Sequence, residues 1–154
     1  MVRPTPQQQL DGFIDKFTPS IAAQMRTAMS RMLARLPGAV VLVYDNYNAL
    51  AVGFGPSERT SDAIFSLAVY PRWISLFFLK NGLALPDPLH LLKGSGKVVR
   101  HIVLDAAETF DHPAVMSLMD AALELTDRRI DPTQPPRLII KSVSAKQRPR
   151  RPAG

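Results

Sequence analysis

The sequence contains no cysteine among its 154 residues, and this absence removes several kinds of chemistry at once. Disulfide bonds, thiolate nucleophiles and cysteine-ligated metal sites are all excluded. A domain of this length buries roughly 68–70% of the surface that its unfolded chain exposes, so it needs neither a disulfide nor a metal to be stable. A chain without cysteine also suits a reducing compartment, and we therefore expect a cytoplasmic protein.

Long apolar segments are missing as well. The uninterrupted apolar stretches, such as 39–44 and 74–79, are much shorter than the roughly 20 residues that a transmembrane helix requires. The first nine residues lack the apolar stretch that is typical of a signal peptide. We therefore expect neither a membrane-spanning helix nor a secretion signal.

Acidic residues are absent from the last part of the chain. Six cations follow Pro136, namely Arg137, Lys141, Lys146, Arg148, Arg150 and Arg151, whereas all 13 acids precede them and balance the other 13 cations. The net charge of +6 therefore belongs to the end of the chain, and residues 1–136 are neutral. We predict a single domain over 1–143 and a mobile basic tail over 144–154, which could attract a polyanion such as nucleic acid weakly and without sequence preference.

The order of the predicted elements favours an α+β fold. Apolar residues at helical spacing predict helices over 7–17 and 18–36, with Thr18 as the N-cap of the second, and a third helix that begins at Asp111-His112-Pro113. Alternating and β-branched segments predict strands over 40–44, 50–54, 63–70, 73–79, 98–104 and 137–143. We expect a mainly antiparallel sheet of five to six strands, backed by two N-terminal helices and one C-terminal helix.

Two packing predictions follow from these patterns. Helix 18–36 should pack on the sheet through Met25, Met29, Leu33 and Leu36. The segment 73–79 is apolar on both faces, which predicts a central strand that is covered on both sides, with Phe77 buried.

Several segments together resemble the YdhG-like proteins, a large bacterial family mostly of unknown function. The resemblance lies in 13–17, 43–47, Tyr70, 74–78 and, most specifically, in the stretch Gly94-Ser95-Gly96-Lys97-Val98-Val99-Arg100-His101-Ile102. It covers roughly residues 10–128 and implies a small α+β fold with a mainly antiparallel sheet backed by helices. It implies little chemistry, because one fold supports many functions.

One branch of that family is frataxin-like and is associated with intracellular iron delivery. Iron handling of this kind uses exposed carboxylates, because hard cations favour oxygen ligands. The acids of this chain are scattered, and the closest grouping is Asp105, Glu108 and Asp111 with His112. The three histidines are spaced eleven residues apart, which is not a metal-binding pattern, and we predict no metal site and no cofactor.

The glycine-rich stretch before the fifth strand is the first candidate binding segment. It is not a phosphate-binding P-loop, because Leu91 stands where the first glycine should be and Val98 replaces Ser or Thr. If 98–104 is a regular strand, Lys97 and His101 point to one side, and Arg100 joins them only at a bulge. The alternative is structural: a glycine turn that feeds a strand, an Arg100 ion pair at the sheet edge and a His101 hydrogen bond to a backbone carbonyl.

Aromatic side chains are the second candidate. Tyr44, Tyr70 and Trp73 could line a ligand pocket together with Lys97 and His101, although such residues more often belong to the core of a sheet. The sequence has no G-x-S-x-G nucleophile motif. The leading hypothesis is therefore non-enzymatic binding of a small ligand or a protein partner, with an enzyme as the competing class and a frataxin-like iron carrier as the third.

Overall fold

The computed structural model describes residues 2–153 and has an α+β architecture. Met1 and Gly154, the first residue of the predicted domain and the last of the predicted tail, lie outside the described residues. Three helices and six strands are arranged as α1 (Pro6–Ile14), α2 (Pro19–Arg35), β1 (Val40–Asp45), β2 (Leu50–Gly55), β3 (Phe65–Val69), β4 (Ile74–Phe78), β5 (Arg100–Leu104), α3 (Pro113–Leu125) and β6 (Arg137–Val143).

The helices begin where the sequence supplies caps. The Thr5 side chain accepts a hydrogen bond from the Gln8 amide and forms a capping box at the start of α1. Thr18 accepts from the Ile21 amide ahead of Pro19, as predicted. At α3 the cap is His112, whose Nδ1 accepts from the Ala114 amide at 3.1 Å. Each cap satisfies a backbone N–H that the helix itself leaves without a partner.

The sheet is mixed but mostly antiparallel, with the strand order β5-β4-β3-β2-β1-β6. Strands β1 to β5 form an antiparallel meander, and β6 returns to pair in parallel with β1. This arrangement, with two N-terminal helices and one C-terminal helix, confirms the predicted α+β fold class at the level of elements and pairing.

All three helices pack against one face of the sheet, which we call the helix face. Buried helix residues and one set of strand residues form a single core, in which Val43, Val52, Leu67, Leu76 and Ile102 lie side by side across five strands. In α2, Met25, Met29 and Leu36 are buried as predicted, whereas Leu33 is 40% exposed. The alternating strand residues therefore point away from the helices.

The opposite side of the sheet, which we call the open face, carries no α-helix from the described part of the chain. Its central row is Leu42, Gly53, Ser66, Phe77 and His101. Strand β4 is interior, as predicted, but Phe77 is only partly buried. The expectation of a strand covered on both sides is therefore corrected, because a strand with large apolar residues on both faces does not reveal which face the helices leave open.

The loop 56–64 covers part of the open face. A Cβ atom at Gly55 would lie 2.8 Å from the Ala63 Cα, so the loop approaches β2 at a distance that only glycine allows. On the neighbouring strand, the Tyr44 hydroxyl is hydrogen-bonded to the Thr60 hydroxyl. The loop therefore leaves the region around Ala51, Ala68 and Phe77 as the accessible part of the open face.

Candidate functional site

The glycine-rich segment forms a loop rather than the start of a strand. Strand β5 begins at Arg100 instead of at 98, and the backbone of Lys93 pairs with that of His101 through hydrogen bonds of 2.7 and 3.0 Å. The carbonyl of Lys97 accepts a hydrogen bond from the Leu83 amide at 3.1 Å. Strand alternation therefore does not apply at Lys97, and the argument that placed it beside His101 fails.

Lys97 lies at a cavity of about 420 Å³ on the outside of this loop. The lining consists of Lys80, Asn81, Leu83, Ala84, Lys97, Val98 and Asp127, and His101 is not part of it. Two lysines and one aspartate converge here, but Lys97 is exposed to solvent. The structure thus does not bring Lys97 and His101 together in this cavity.

Arg100 holds the loop in place. Its Nε donates to the Gly96 carbonyl at 2.5 Å, and a Cβ atom at Gly82 would lie 2.8 Å from the Arg100 Cγ. Among residues 2–153, no carboxylate forms an ion pair with it. Arg100 therefore has a structural role, although its partner is a backbone carbonyl and not the carboxylate that the structural alternative assumed.

His101 and the predicted aromatics are spread over the open face. The His101 ring stacks on Phe77, with centroids 5.1 Å apart, and Tyr44 lies on β1, four strands away. At about 4.8 Å between neighbouring strands, this separation is about 19 Å. Tyr70 and Trp73 stack on each other at 4.6 Å at the β3–β4 turn. The six predicted residues therefore do not form one pocket.

A cavity of about 540 Å³ lies on the open face, and we call it the open-face cavity. Small strand residues (Ala51, Ser66, Ala68) form its floor, and Tyr70, Phe77 and Leu79 form its apolar wall. Asn46, Tyr47, Asn48 and Ser144 add polar groups at the β1–β2 turn. The ionisable residues in this lining are the two tyrosines. Of the predicted site residues, only Tyr70 contributes to it.

A second, larger cavity of about 850 Å³ adjoins it at Asn48 and Tyr70, and we call it the tail cavity. It lies between the stacked Tyr70–Trp73 pair and the C-terminal tail. Its lining contains three arginines (Arg72, Arg148 and Arg151) and no acidic residue. From the sequence alone, Arg72 belongs to a turn and Arg148 and Arg151 belong to the tail. The one sequence signal that could have indicated this cavity is the position of Arg72 between Tyr70 and Trp73.

The tail itself packs on the domain, in contrast to the mobile segment that the sequence predicted. The Arg148 amide donates to the Tyr47 carbonyl at 2.9 Å, and the Arg151 Nε donates to the Lys16 carbonyl at 3.1 Å. Arg150 is buried and its Nη2 lies 2.9 Å from a carboxylate oxygen of Asp45. Arg150 is therefore not accessible to a polyanion, and the exposed tail cations are Lys146, Arg148 and Arg151.

Asp45 is the anchor for the tail. Its fully buried carboxylate also receives the Lys16 ammonium at 2.8 Å, and the Gln147 amide donates to its backbone carbonyl at 3.1 Å. Burial by itself would raise the pKa of Asp45, but hydrogen bonds from Lys16, Gln147 and Arg150 outweigh burial and hold this pKa below its ordinary value of 3.8.

This shifted pKa predicts how acid weakens the fold. A carboxylate whose pKa is lower in the folded state contributes stability above its unfolded pKa, and that contribution disappears as the pH falls through the folded pKa. We expect Asp45→Asn to reduce the free energy of unfolding at pH 7, with a difference from wild type that shrinks below pH 3.8. Urea unfolding of both proteins from pH 7 to pH 2.5 measures this difference, and a constant gap would contradict the assignment.

A second carboxylate orders the loop 56–64. The Ser57 hydroxyl donates to Asp62 at 2.7 Å, and Arg128 lies 3.4 Å from the same oxygen. The Ser57 hydrogen bond is the main reason that the pKa of Asp62 is below its ordinary value, since burial opposes the shift and the Arg128 charge adds to it. The cluster fixes the loop that covers Gly53 and Gly55.

Residues 2–153 contain neither a cluster of metal ligands nor a membrane-spanning helix. No group of three or more His, Asp or Glu side chains in this range could hold a metal ion. Within the same residues, no helix has the length and apolar composition that a bilayer crossing requires. Comparison of the chain with known family models, curated proteins and solved structures gave no match.

Proposed function

We propose that the protein is a YdhG-like, non-enzymatic binding module that takes up a small, largely apolar ligand in the open-face cavity. The observation that carries this proposal is the cavity of about 540 Å³ on the sheet face that the helices leave uncovered. Its volume lies within the range of about 300–1,000 Å³ that is usual for small-molecule sites. The resemblance to the YdhG-like family supports only the fold part of this proposal, since the sheet and helices have the arrangement that it implies.

The chemistry of the lining favours binding over catalysis. Aromatic and aliphatic walls from Tyr70, Phe77 and Leu79 supply contact area, and Asn48 and Ser66 supply hydrogen-bonding groups that can orient a ligand. General acid–base catalysis requires a titratable pair near neutral pH, and the lining contains no histidine, lysine or carboxylate side chain. A cytoplasmic location is part of the proposal, supported by the cysteine-free sequence.

Filling the cavity tests this function. Ala51 lies on the floor of the open-face cavity, and the larger side chain of Ala51→Leu should occupy the space that a ligand needs. The probe is p-cresol, a neutral aromatic compound, observed by saturation-transfer NMR. We expect the transfer signal to be lost in Ala51→Leu and retained in wild type, because the probe and the leucine would compete for the same volume.

The matched control is Ala23→Leu, which makes the same change on the exposed side of α2. This variant should keep the wild-type transfer signal, and thermal melts of both variants check that they are folded. An equal signal in Ala51→Leu and wild type, or an equal loss in both leucine variants, would rule out the open-face cavity as the binding site.

A further inference from the structure

We propose that the tail cavity binds a nucleotide, with the base stacked on Trp73 and the phosphate held by Arg148 and Arg72. This inference goes beyond the proposed function, because it concerns a different cavity and a different ligand chemistry. It depends on two features that meet in this cavity of about 850 Å³: an exposed aromatic stack and an excess of arginine.

The aromatic stack offers a platform for a planar ring. Trp73 remains 42% exposed although its ring stacks on Tyr70 at an interplanar angle of 18°. The hydrogen bond of 2.9 Å from the Tyr70 amide to the Trp73 carbonyl holds the turn that carries both rings. Stacking on such a pair is tolerant of base identity, because every base presents a flat π-surface.

The arginines supply the charge that a phosphate requires. Arg72 and Arg148 are exposed, and within the described residues neither forms an ion pair with a carboxylate. Arg151 is already oriented by its hydrogen bonds to the carbonyls of Lys16 and Asp15. A planar guanidinium binds phosphate oxygens through two parallel N–H donors, which makes arginine well suited to this anion.

The buried Arg150–Asp45 pair gives the cavity a fixed shape. It holds the tail against the β1–β2 turn, where the Arg148 amide is bound to the Tyr47 carbonyl. Arg148 is therefore held at the rim of a defined cavity, which a mobile tail would not achieve. Fixing the backbone that carries Arg148 before binding lowers the conformational entropy that the ligand must offset.

The test uses the full chain and the fluorescence of Trp73, which is the sole tryptophan of the sequence. The probes are AMP and adenosine, titrated separately at low ionic strength, and inorganic phosphate, titrated as a competitor of AMP under the same conditions. We expect AMP to quench Trp73 and to bind about tenfold or more tightly than either adenosine or phosphate, because each of these lacks one of the two recognised groups. Phosphate that binds as tightly as AMP would overturn the proposal.

A pair of charge-matched variants separates direct contact from general attraction. Arg148→Gln should weaken AMP binding about tenfold, the loss expected for one charge-assisted hydrogen bond. Lys146→Gln removes the same charge two residues away from a side chain that does not line the cavity, and it should bind AMP as wild type does. Equal losses in the two variants would overturn the proposal.

Two further measurements identify the source of the nucleotide and the independence of the site. Tighter binding of an eight-residue oligothymidylate than of a mononucleotide supports the proposal and assigns the site to single-stranded nucleic acid, and the reverse order assigns it to free nucleotides. With contacts from Arg72 and Arg148, the slope of log affinity against log salt concentration for the oligonucleotide should be about −1.4.

Ala51→Leu should leave AMP affinity unchanged even where it abolishes p-cresol binding. Loss of AMP binding in Ala51→Leu would place the base in the open-face cavity and overturn the proposal.

Discussion

Replacing Arg150 with alanine is expected to lower the free energy of unfolding by about 3 kcal/mol, the lower end of the cost of breaking a buried ion pair. The Arg150 side chain is 4% exposed and the Asp45 side chain is fully buried, so solvent does not screen the lost interaction. The loss stays at the lower end because Lys16 still pairs with Asp45. In a protein of this size, the melting temperature should fall by about 6–12 °C.

Arg148→Ala is the matched control for this prediction. It removes the same charge from the same tail, but at an exposed side chain, and it should leave the melting temperature close to that of wild type. A double-mutant cycle with Asp45→Asn isolates the pair, since Arg150→Ala should cost much less once the carboxylate is gone. If Arg150→Ala and Arg148→Ala both have the wild-type melting temperature, the tail is mobile, as the sequence predicted.

Truncation after Ala145 extends the same test to the whole tail. It removes Arg150 together with Gln147, whose amide donates to the Asp45 carbonyl at 3.1 Å. The loss of stability should therefore equal or exceed that of Arg150→Ala. A truncated chain that melts at the wild-type temperature would show that the tail contributes nothing to folding.

Local signals in the sequence predicted most of the secondary structure. The predicted second helix, 18–36, corresponds to α2 (Pro19–Arg35). Its ends were predictable because Thr18-Pro19 starts the helix and Pro37-Gly38 stops it through local backbone effects. The last strand was found with its predicted bounds, 137–143, although its parallel pairing with β1 is not encoded locally. Features that depend on nearest neighbours were therefore accessible from the sequence.

The contacts of the tail were not predicted, because the partner of Arg150 is distant in the chain. Arg150 and Asp45 are separated by 105 positions, and a count of charges treats the first as an unopposed cation and the second as part of a neutral body. No local pattern marks a buried pair of this kind. A count of charges also gives no sign of the tail cavity, because its arginines come from two distant parts of the chain, a turn and the tail.

The candidate site was only partly predictable for a related reason. The grouping of Lys97 with His101 assumed a strand from 98. Instead, backbone hydrogen bonds from 82–83 to 97–98 hold this segment as a loop, and β5 begins only at Arg100. Tyr70 ends one predicted strand and Trp73 begins the next, and the two rings stack across the turn between them. What the sequence did not contain was the orientation of β4, whose two faces are both apolar.

The orientation of β4 predicts the second large effect, which is a difference in stability between the alanine variants of the adjacent residues Phe77 and Phe78. Phe78 is fully buried on the helix face, where its ring packs edge-on against Phe65 with centroids 5.6 Å apart. Phe78→Ala should lower the free energy of unfolding by about 4 kcal/mol, as is usual when a buried phenylalanine is truncated. Chemical denaturation measures this loss, and the slope of the unfolding free energy against denaturant concentration should be the same as in wild type.

Phe77→Ala is the control that the strand itself provides, since it makes the same substitution one residue earlier on the open face. Phe77 is partly exposed and its main aromatic contact is the stacked His101 ring, a kind of interaction that contributes about 0.5–1.5 kcal/mol beyond the area buried. The total cost should therefore stay below about half of that for Phe78→Ala, because no closed cavity forms on an uncovered face. Equal losses for the two variants would mean that the open face is covered in solution, whereas a larger loss at Phe77 would reverse the assignment of the two faces.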